Sequence, residues 1–205
     1  MISIVDYGMG NLRSVEKALQ RLGFDAALIN TPAEIDQATR LILPGVGAFG
    51  DAMKGLSERN LVEPLRQYAA SGRPLFGICL GMQILFEDSE EDPGVEGLGL
   101  LKGTVKKFVL DGLKVPHMGW NQLRVVSDSP WFQDLGDKPY VYFVHSYYVV
   151  PKDASATAAV TEYGIPFTAA VASGNIGGTQ FHPEKSQEIG LRILKNFAGV
   201  PALVE

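Results

Sequence analysis

Residues 74–83 read Pro74-Leu75-Phe76-Gly77-Ile78-Cys79-Leu80-Gly81-Met82-Gln83. An apolar run of strand length stops at a cysteine that has glycine two residues before it and two residues after it. G-x-C-x-G is the thiol version of the nucleophile elbow. In that turn a strained strand-to-helix connection lifts one side chain off the sheet, and the flanking glycines avoid clashes. A helix beginning at Leu80 would aim unpaired N–H groups and its positive dipole end at the sulfur, which favours the reactive thiolate. Cys79 is the single cysteine in 205 residues, so an internal disulfide and a cysteine-based metal cage both drop out. A lone free cysteine is most often a small buried hydrophobe. The paired glycines reverse that expectation, provided a base exists elsewhere in the chain.

Outward from the elbow, the first third of the chain alternates short β-branched runs with helical patterns, as parallel strands joined by crossover helices do. Strands are expected at 2–5, 24–29, 41–43 and 75–78, the last buried on both faces. One helix follows the turn Tyr7-Gly8-Met9-Gly10, with Asn11 as N-cap, Leu12, Val15, Leu19 and Leu22 on one face and Gly23 as the stop. Another is expected at 61–70, ended at Gly72. From Gly99 onward, strand patterns follow in close succession at 103–110, 121–126, 140–150, 156–163 and 167–173. A last helix is expected from Ser186 as N-cap to Phe197, with Gly199 beyond it. The acidic run 87–92 reads as a solvated helix end, one carboxylate of which stays available to a ligand. The fold class is therefore α/β: an open, mixed, mostly parallel sheet flanked by helices, with an antiparallel portion in the second half. Cys79 sits at a strand's C-terminal edge, where ligands of such sheets bind.

The length fits one domain over 1–205. With Lys+Arg 18 against Asp+Glu 23, the net charge is −5 and no basic stripe is present, which argues against a nucleic-acid partner. The N-terminal residues lack a charged n-region and a following apolar stretch, and no run approaches a membrane span, so a cytoplasmic, non-membrane protein is expected.

A thiol nucleophile needs a base, and the chain has three histidines: His117, His145 and His182. His182 lies in Gln180-Phe181-His182-Pro183-Glu184-Lys185-Ser186, after a strand-like segment and before the last helix, on the same sheet edge as Cys79. Pro183 fixes the backbone between His182 and Glu184, so both side chains can emerge from one rigid turn and the carboxylate can hold the imidazole tautomer. His145, in a strand pattern, reads as a satisfied structural histidine. His117, after Pro116 in a loop, has no nearby carboxylate and reads as non-catalytic. The backbone N–H of Leu80 supplies one oxyanion donor. The second can come from Pro44-Gly45-Val46-Gly47, where glycines on both sides of Val46 let its peptide point either way; an ordinary glycine-rich strand-to-helix turn remains the alternative.

With these residues in place, the chain resembles the glutaminase domain of class I, triad-type glutamine amidotransferases, whose fold has a flavodoxin-like core. Within that family it is similar to the glutaminase subunits of imidazole glycerol phosphate synthases. The resemblance runs over essentially the whole length. It rests on 6–11, 43–50, 77–83, Pro116-His117-Met118-Gly119-Trp120-Asn121, 143–147 and 180–186. It implies a Cys79, His182, Glu184 triad acting on L-glutamine, with Leu80, Val46 and Gly47 at the oxyanion hole. Gly47, Gln83, Glu91, Ser146 and Tyr147 would hold the substrate. No cofactor and no metal are implied. The implied partner is a (β/α)8-barrel cyclase subunit in a heterodimer, docked on a face that includes Gly10, Asn11, Trp120, Asn121, Tyr142 and Lys185. Trp120 suits an interface hot spot by its chemistry, and a core tryptophan is the alternative. Competing readings are a glutaminase serving another synthase, a thiol peptidase or esterase, and a catalytically silent binding subunit.

Overall fold

The structure is a computed structural model that describes residues 1–199. Its first part alternates strands and helices: β1 (Ile2–Val5), α1 (Leu12–Arg21), β2 (Ala26–Ile29), α2 (Pro32–Gln37), β3 (Leu41–Gly45), α3 (Phe49–Glu58), α4 (Val62–Ala70), β4 (Leu75–Cys79) and α5 (Leu80–Gln83). Strands then dominate: β5 (Asp88–Ser89), β6 (Gly103–Lys107), β7 (His117–Gln122), β8 (Arg124–Val125), β9 (Tyr140–His145), β10 (Tyr147–Pro151), β11 (Thr157–Tyr163), β12 (Ile165–Ser173) and β13 (Ile176–Thr179), before α6 (Gln187–Gly199).

The main sheet runs β2-β1-β3-β4-β13-β12-β10-β6-β5. Pairing is parallel from β2 through β13 and antiparallel from β13 through β6. β7 and β9 form a separate two-stranded ribbon. Period-two alternation sorts the parallel strands between two cores. Val5, Leu41, Leu43 and Leu75 face the layer of α2, α3 and α4. Ile4, Ile42, Phe76 and Ile78 face α1, α6 and the ribbon residues Val141 and Phe143.

Local chemistry accounts for some helix ends. Thr31 and Glu34 form a reciprocal capping box at α2, with Pro32 at its first position. Asn11 precedes α1 as expected, but its side chain makes no capping bond. Ser186 also stands just before its helix as expected, its carbonyl accepting the Gly190 N–H, but its hydroxyl donates to the His182 carbonyl (2.6 Å) and accepts the Tyr142 N–H (3.0 Å), and α6 runs on through Gly199.

Three other expectations are corrected. The apolar run 140–150 is two strands in two sheets, because the chain leaves the ribbon at Ser146 to join the main sheet. The span 121–126 is divided at the buried Leu123, and His117 lies in β7 rather than in a loop. The acidic run is a clasp instead of a helix end. Glu87 binds Lys102 and the Gly103 N–H, Glu90 accepts from the Lys107 N–H, and Glu91 and Asp92 accept from the Phe49 and Gly50 N–H groups at 2.9 and 2.7 Å. Those last two N–H groups open α3, whose Ala48 N-cap has no side-chain oxygen to offer.

The elbow glycines are required by proximity. A Cβ on Gly77 would stand 2.6 Å from the Gly81 carbonyl oxygen, and one on Gly81 would overlap the Leu43 carbonyl oxygen. Gly81→Ala is expected to cost about 3 kcal/mol by overpacking against backbone. Gly23→Ala, at φ +85° with open space around it, should cost about 1 kcal/mol. Urea unfolding of both variants checks this; equal losses would mean that the elbow relaxes around a methyl group.

Candidate active site

Three parallel neighbours build the site. β4 lies between β3 and β13, with Gly45 opposite Cys79 and Thr179 opposite Ile78. The chain therefore leaves all three strands at one edge of the sheet. Cys79 itself has φ +56° and ψ −113°, a conformation that costs a non-glycine residue about 1–3 kcal/mol and that turns its side chain away from the strand. The helix behind it begins at Leu80 as expected and is short: α5 is a single turn of four residues. Its dipole contribution at the sulfur is correspondingly small, and the N–H of Leu80, as the first helical residue, has no intrahelical acceptor.

His182 arrives from β13. Alternation along Gln180-Phe181-His182 buries the Phe181 ring in the core and turns Gln180 and His182 toward the elbow. The His182 Nδ1–H donates to Glu184 Oε1 at 2.9 Å, with both side chains essentially buried. Nε2 is left to face the thiol. Burial opposes charging of this ring, but hydrogen bonds and charge from Cys79 and Glu184 prevail, and its pKa is pushed up to about 9. Glu184 Oε2 is buried and has no hydrogen-bond partner, so the carboxylate depends on the imidazolium for compensation.

A cavity of about 320 Å³ opens over the thiol, within the range of small-molecule sites. Its lining brings together Cys79, His182, Val46, Gly47, Leu80, Gln83, Glu91, Ser146 and Tyr147, and adds Pro116, Val144 and His145. Glu184 stands behind His182. Gly47 takes φ +100°, a conformation suited to glycine, and Val46 is 41% exposed. Burial raises the pKa of Glu91, against the bond from the Phe49 N–H. Glu91 is the carboxylate in the lining.

The residues considered for a partner do not line this cavity, although Tyr142 accepts the His182 N–H through its carbonyl and the Lys185 N–H donates to the His182 carbonyl. Gly10 packs on Pro44, so the 6–11 turn seats against the glycine-rich turn after β3. Trp120 is 48% exposed and meets Tyr142 edge-to-face across the ribbon at 6.1 Å; it is not a core tryptophan. Asn11, Asn121 and Tyr142 are half-buried and Lys185 is exposed.

Gln180 has no role in the sequence reading. It is fully buried, its Nε2 donates to Cys79 Sγ at 3.8 Å, and its Oε1 accepts from Gln83 at 3.0 Å. Its signal is the two-residue offset from His182, which in an extended segment places both on one side. Tyr7 is a second such residue: its buried hydroxyl donates to the Pro44 carbonyl (2.8 Å), at the root of the glycine-rich turn.

A family model described as glutamine amidotransferase class-I matches residues 3–199. The chain belongs to this family. Among curated proteins, this amidotransferase is 54% identical over 203 residues to the imidazole glycerol phosphate synthase subunit HisH of Syntrophotalea carbinolica, covering 96% of this chain and 98% of the relative. It is 52% identical over 200 residues to the subunit of that name from Bacillus cereus, covering 98% and 95%. Among solved structures, it is similar to a crystal structure of a glutamine amidotransferase, with a TM-score of 0.77 and 23% identity over 98% of this chain and 100% of the other. PurLQS from Thermotoga maritima gives a TM-score of 0.76 and 23% identity, covering 96% of each chain. At that identity the two structures speak for the fold. The mixed sheet, parallel then antiparallel, is the family's fold, and membership sets aside the thiol-peptidase reading.

The buried histidines of this amidotransferase act on stability at opposite ends of the pH scale. His182, raised from 6.5 to about 9, contributes stability that is complete below about pH 6.5 and lost as pH rises through about 9. His117 and His145 are pushed down by burial to about 4 and about 3. The unfolded chain takes up protons that they refuse, so stability falls as pH drops from 6.5 toward 4. Urea midpoints between pH 4 and 10 should peak near neutrality, with the alkaline limb reduced in Glu184→Gln, where Cys79 alone still favours the charged ring. A wild-type profile flat from pH 7 to 9 would contradict the His182–Glu184 pairing.

Proposed function

We propose that the chain hydrolyses glutamine to glutamate and ammonia through a Cys79 thioester. It then passes the ammonia to a (β/α)8-barrel cyclase subunit, which makes imidazole glycerol phosphate and aminoimidazole carboxamide ribonucleotide in histidine biosynthesis. The observation that carries the reading is the elbow. Cys79, at positive φ, presents its thiol to a cavity shared with His182, whose other nitrogen is held by a buried glutamate. The names of the curated relatives support the pathway.

In the first step the Cys79 thiolate attacks the side-chain carbonyl carbon of glutamine, and the carbonyl electrons move onto its oxygen. Leu80 N–H stabilises that oxyanion, joined by the Val46–Gly47 peptide when it turns inward. The His182 imidazolium gives its proton to the departing nitrogen as the C–N bond breaks. Ammonia leaves, and a glutamyl thioester remains on the sulfur. Water then adds to the thioester as His182 takes its proton, and collapse of the adduct releases glutamate and regenerates the thiolate. Glu91 supplies the negative charge that the substrate's ammonium requires. The backbone at Ser146 and Tyr147, together with Gly47 and Gln83, surrounds the rest of the molecule.

The partner face is the outer side of the β7–β9 ribbon, where Met118, Trp120 and Tyr140 are 62%, 48% and 50% exposed. Large exposed apolar groups on one ribbon suit a protein interface, and the ribbon's inner side touches the cavity through His145. Gly10, Asn11, Tyr142 and Lys185 extend this face in a cytoplasmic heterodimer, whereas Asn121 lies on the ribbon's inner side, opposite Val141, with its side chain bonded to His117 and the Glu162 carbonyl. Among the described residues no helix is long and apolar enough to cross a membrane.

Cys79→Ala is expected to abolish glutamine-dependent synthesis by the complex and to leave synthesis from added ammonium salts intact; loss of both would refute the division of labour. Trp120→Ala should weaken subunit association by about 2 kcal/mol, read by titration calorimetry against the cyclase subunit. Glutaminase activity should be low in the isolated chain and rise when the cyclase and its nucleotide substrate are bound, through the Gly45-Val46-Gly47 turn. Full activity of the free chain would remove that gate.

A further inference from the structure

Two buried histidines take no part in the chemistry above. His117 and His145 lie directly opposite each other on β7 and β9, and His117 Nδ1 meets His145 Nε2 at 3.0 Å. The His117 ring is sandwiched between Phe143 and Tyr163, at 4.7 and 4.1 Å between centroids, while His145 packs on Phe108 and Phe167. Surroundings of this kind disfavour the imidazolium, and both rings are held far below the ordinary histidine pKa. A neutral ring has one donor and one acceptor, so each tautomer follows from its neighbours.

The direction is set at both ends. Asn121 Oδ1 accepts the Gln122 N–H at 2.8 Å, and Nδ2 donates to the Glu162 carbonyl at 2.9 Å, which leaves no freedom to flip the amide. The second Nδ2 hydrogen therefore goes to His117 Nε2, 3.2 Å away, as an acceptor. His117 must then carry its proton on Nδ1 and donate to His145 Nε2. At the inner end, His145 Nδ1 stands 2.8 Å from the Tyr147 carbonyl, which can only accept. Both ends require the same arrangement, with Nδ1–H on each ring. The Tyr147 carbonyl takes its second bond from Gln83 Nε2 at 3.1 Å, and Gln83 gives its other N–H to Gln180 Oε1 at 3.0 Å. Both donors of Gln83 are consumed, so what it has left to present to the cavity is an acceptor. Gln180 in turn donates to Cys79 Sγ.

We propose that Asn121, His117 and His145 are positioning residues. They form a directed relay that fixes the Tyr147 carbonyl, and through it the Gln83 amide, so that the cavity accepts from a carboxamide N–H and rejects a carboxylate. The relay begins at Asn121 on β7 and ends at the Tyr147 carbonyl, where it meets the donation from Gln83, and neither histidine exchanges a proton. The inference rests on the proposed glutaminase reading for its substrate and on the hydrogen bonds alone for its order.

The test has two arms. In the wild-type chain at neutral pH, ¹⁵N NMR should show both rings as the neutral Nδ1–H tautomer; an Nε2–H tautomer on either ring overturns the relay whatever the activity. In the complex with the cyclase subunit, His117→Phe keeps the aromatic stack and removes the donor. It should raise the glutamine KM by about three- to tenfold, the worth of one hydrogen bond, with kcat within about twofold. It should also tighten inhibition by glutamate relative to that KM. His117→Asn, whose amide nitrogen stands where Nδ1 stood, should restore KM. An unchanged KM with only a lowered unfolding midpoint, or a Phe and an Asn variant that behave alike, would reduce the pair to a structural role. If the wild-type complex hydrolyses no glutamine, the functional reading fails while the tautomer result still judges the relay.

Discussion

Parallel pairing of β4 with β3 on one side and β13 on the other is the constraint on which the rest of the molecule depends. Parallel neighbours end at the same edge, so the chain brings a glycine-rich turn, a thiol and a histidine to one line by hydrogen-bond register alone. The arrangement leaves almost no room. The Leu43 carbonyl, the Gly81 backbone and the Gly77 backbone occupy space that any Cβ would claim. Cys79 sits at positive φ between these two close-packed glycines. Strain and close approach are one fact seen from two residues.

The buried His182–Glu184 pair and the thiol form a second unit. A carboxylate with one oxygen unpartnered is tolerable in the interior only beside a charged imidazole, and that ring is kept protonated in turn by Glu184 and Cys79. The acidic clasp joins this unit to the turn after β3. Glu91 and Asp92 take the first N–H groups of α3, so the segment that follows the elbow is tied to the segment that follows the glycines. Glu91 thereby serves one helix end and the cavity at once.

What could be read from the chain follows from how local each signal is. The elbow, the first strand and the His182-Pro183-Glu184 turn were legible because residues within a few positions of one another make them. The sheet switch at Ser146 was not. Periodicity is unbroken across 140–150, and only the choice of partner, β7 before the break and β6 and β12 after it, divides the run. The acidic run misled for the same reason, since Glu91 and Asp92 answer to N–H groups 42 residues away in α3 and Glu87 and Glu90 to the facing strand β6 and the lysine before it. His117 looked isolated because its partners are a facing strand and an asparagine whose orientation is fixed by backbone groups. Gln180 was part of a recognised motif but had no assigned task, because its two partners come from β4's elbow and the turn beyond it.

Cys79 is also the chain's entire thiol content. Any sulfhydryl reagent that reacts with this protein reacts at the floor of the cavity and nowhere else, so the rate of labelling needs no correction for background cysteines. With 7% of its surface reachable, the side chain reports on access through the mouth of the site as well as on its own ionisation. The protein thus carries a built-in optical or mass tag position that follows occupancy, subunit docking and movement of the glycine-rich turn without the introduction of a foreign residue.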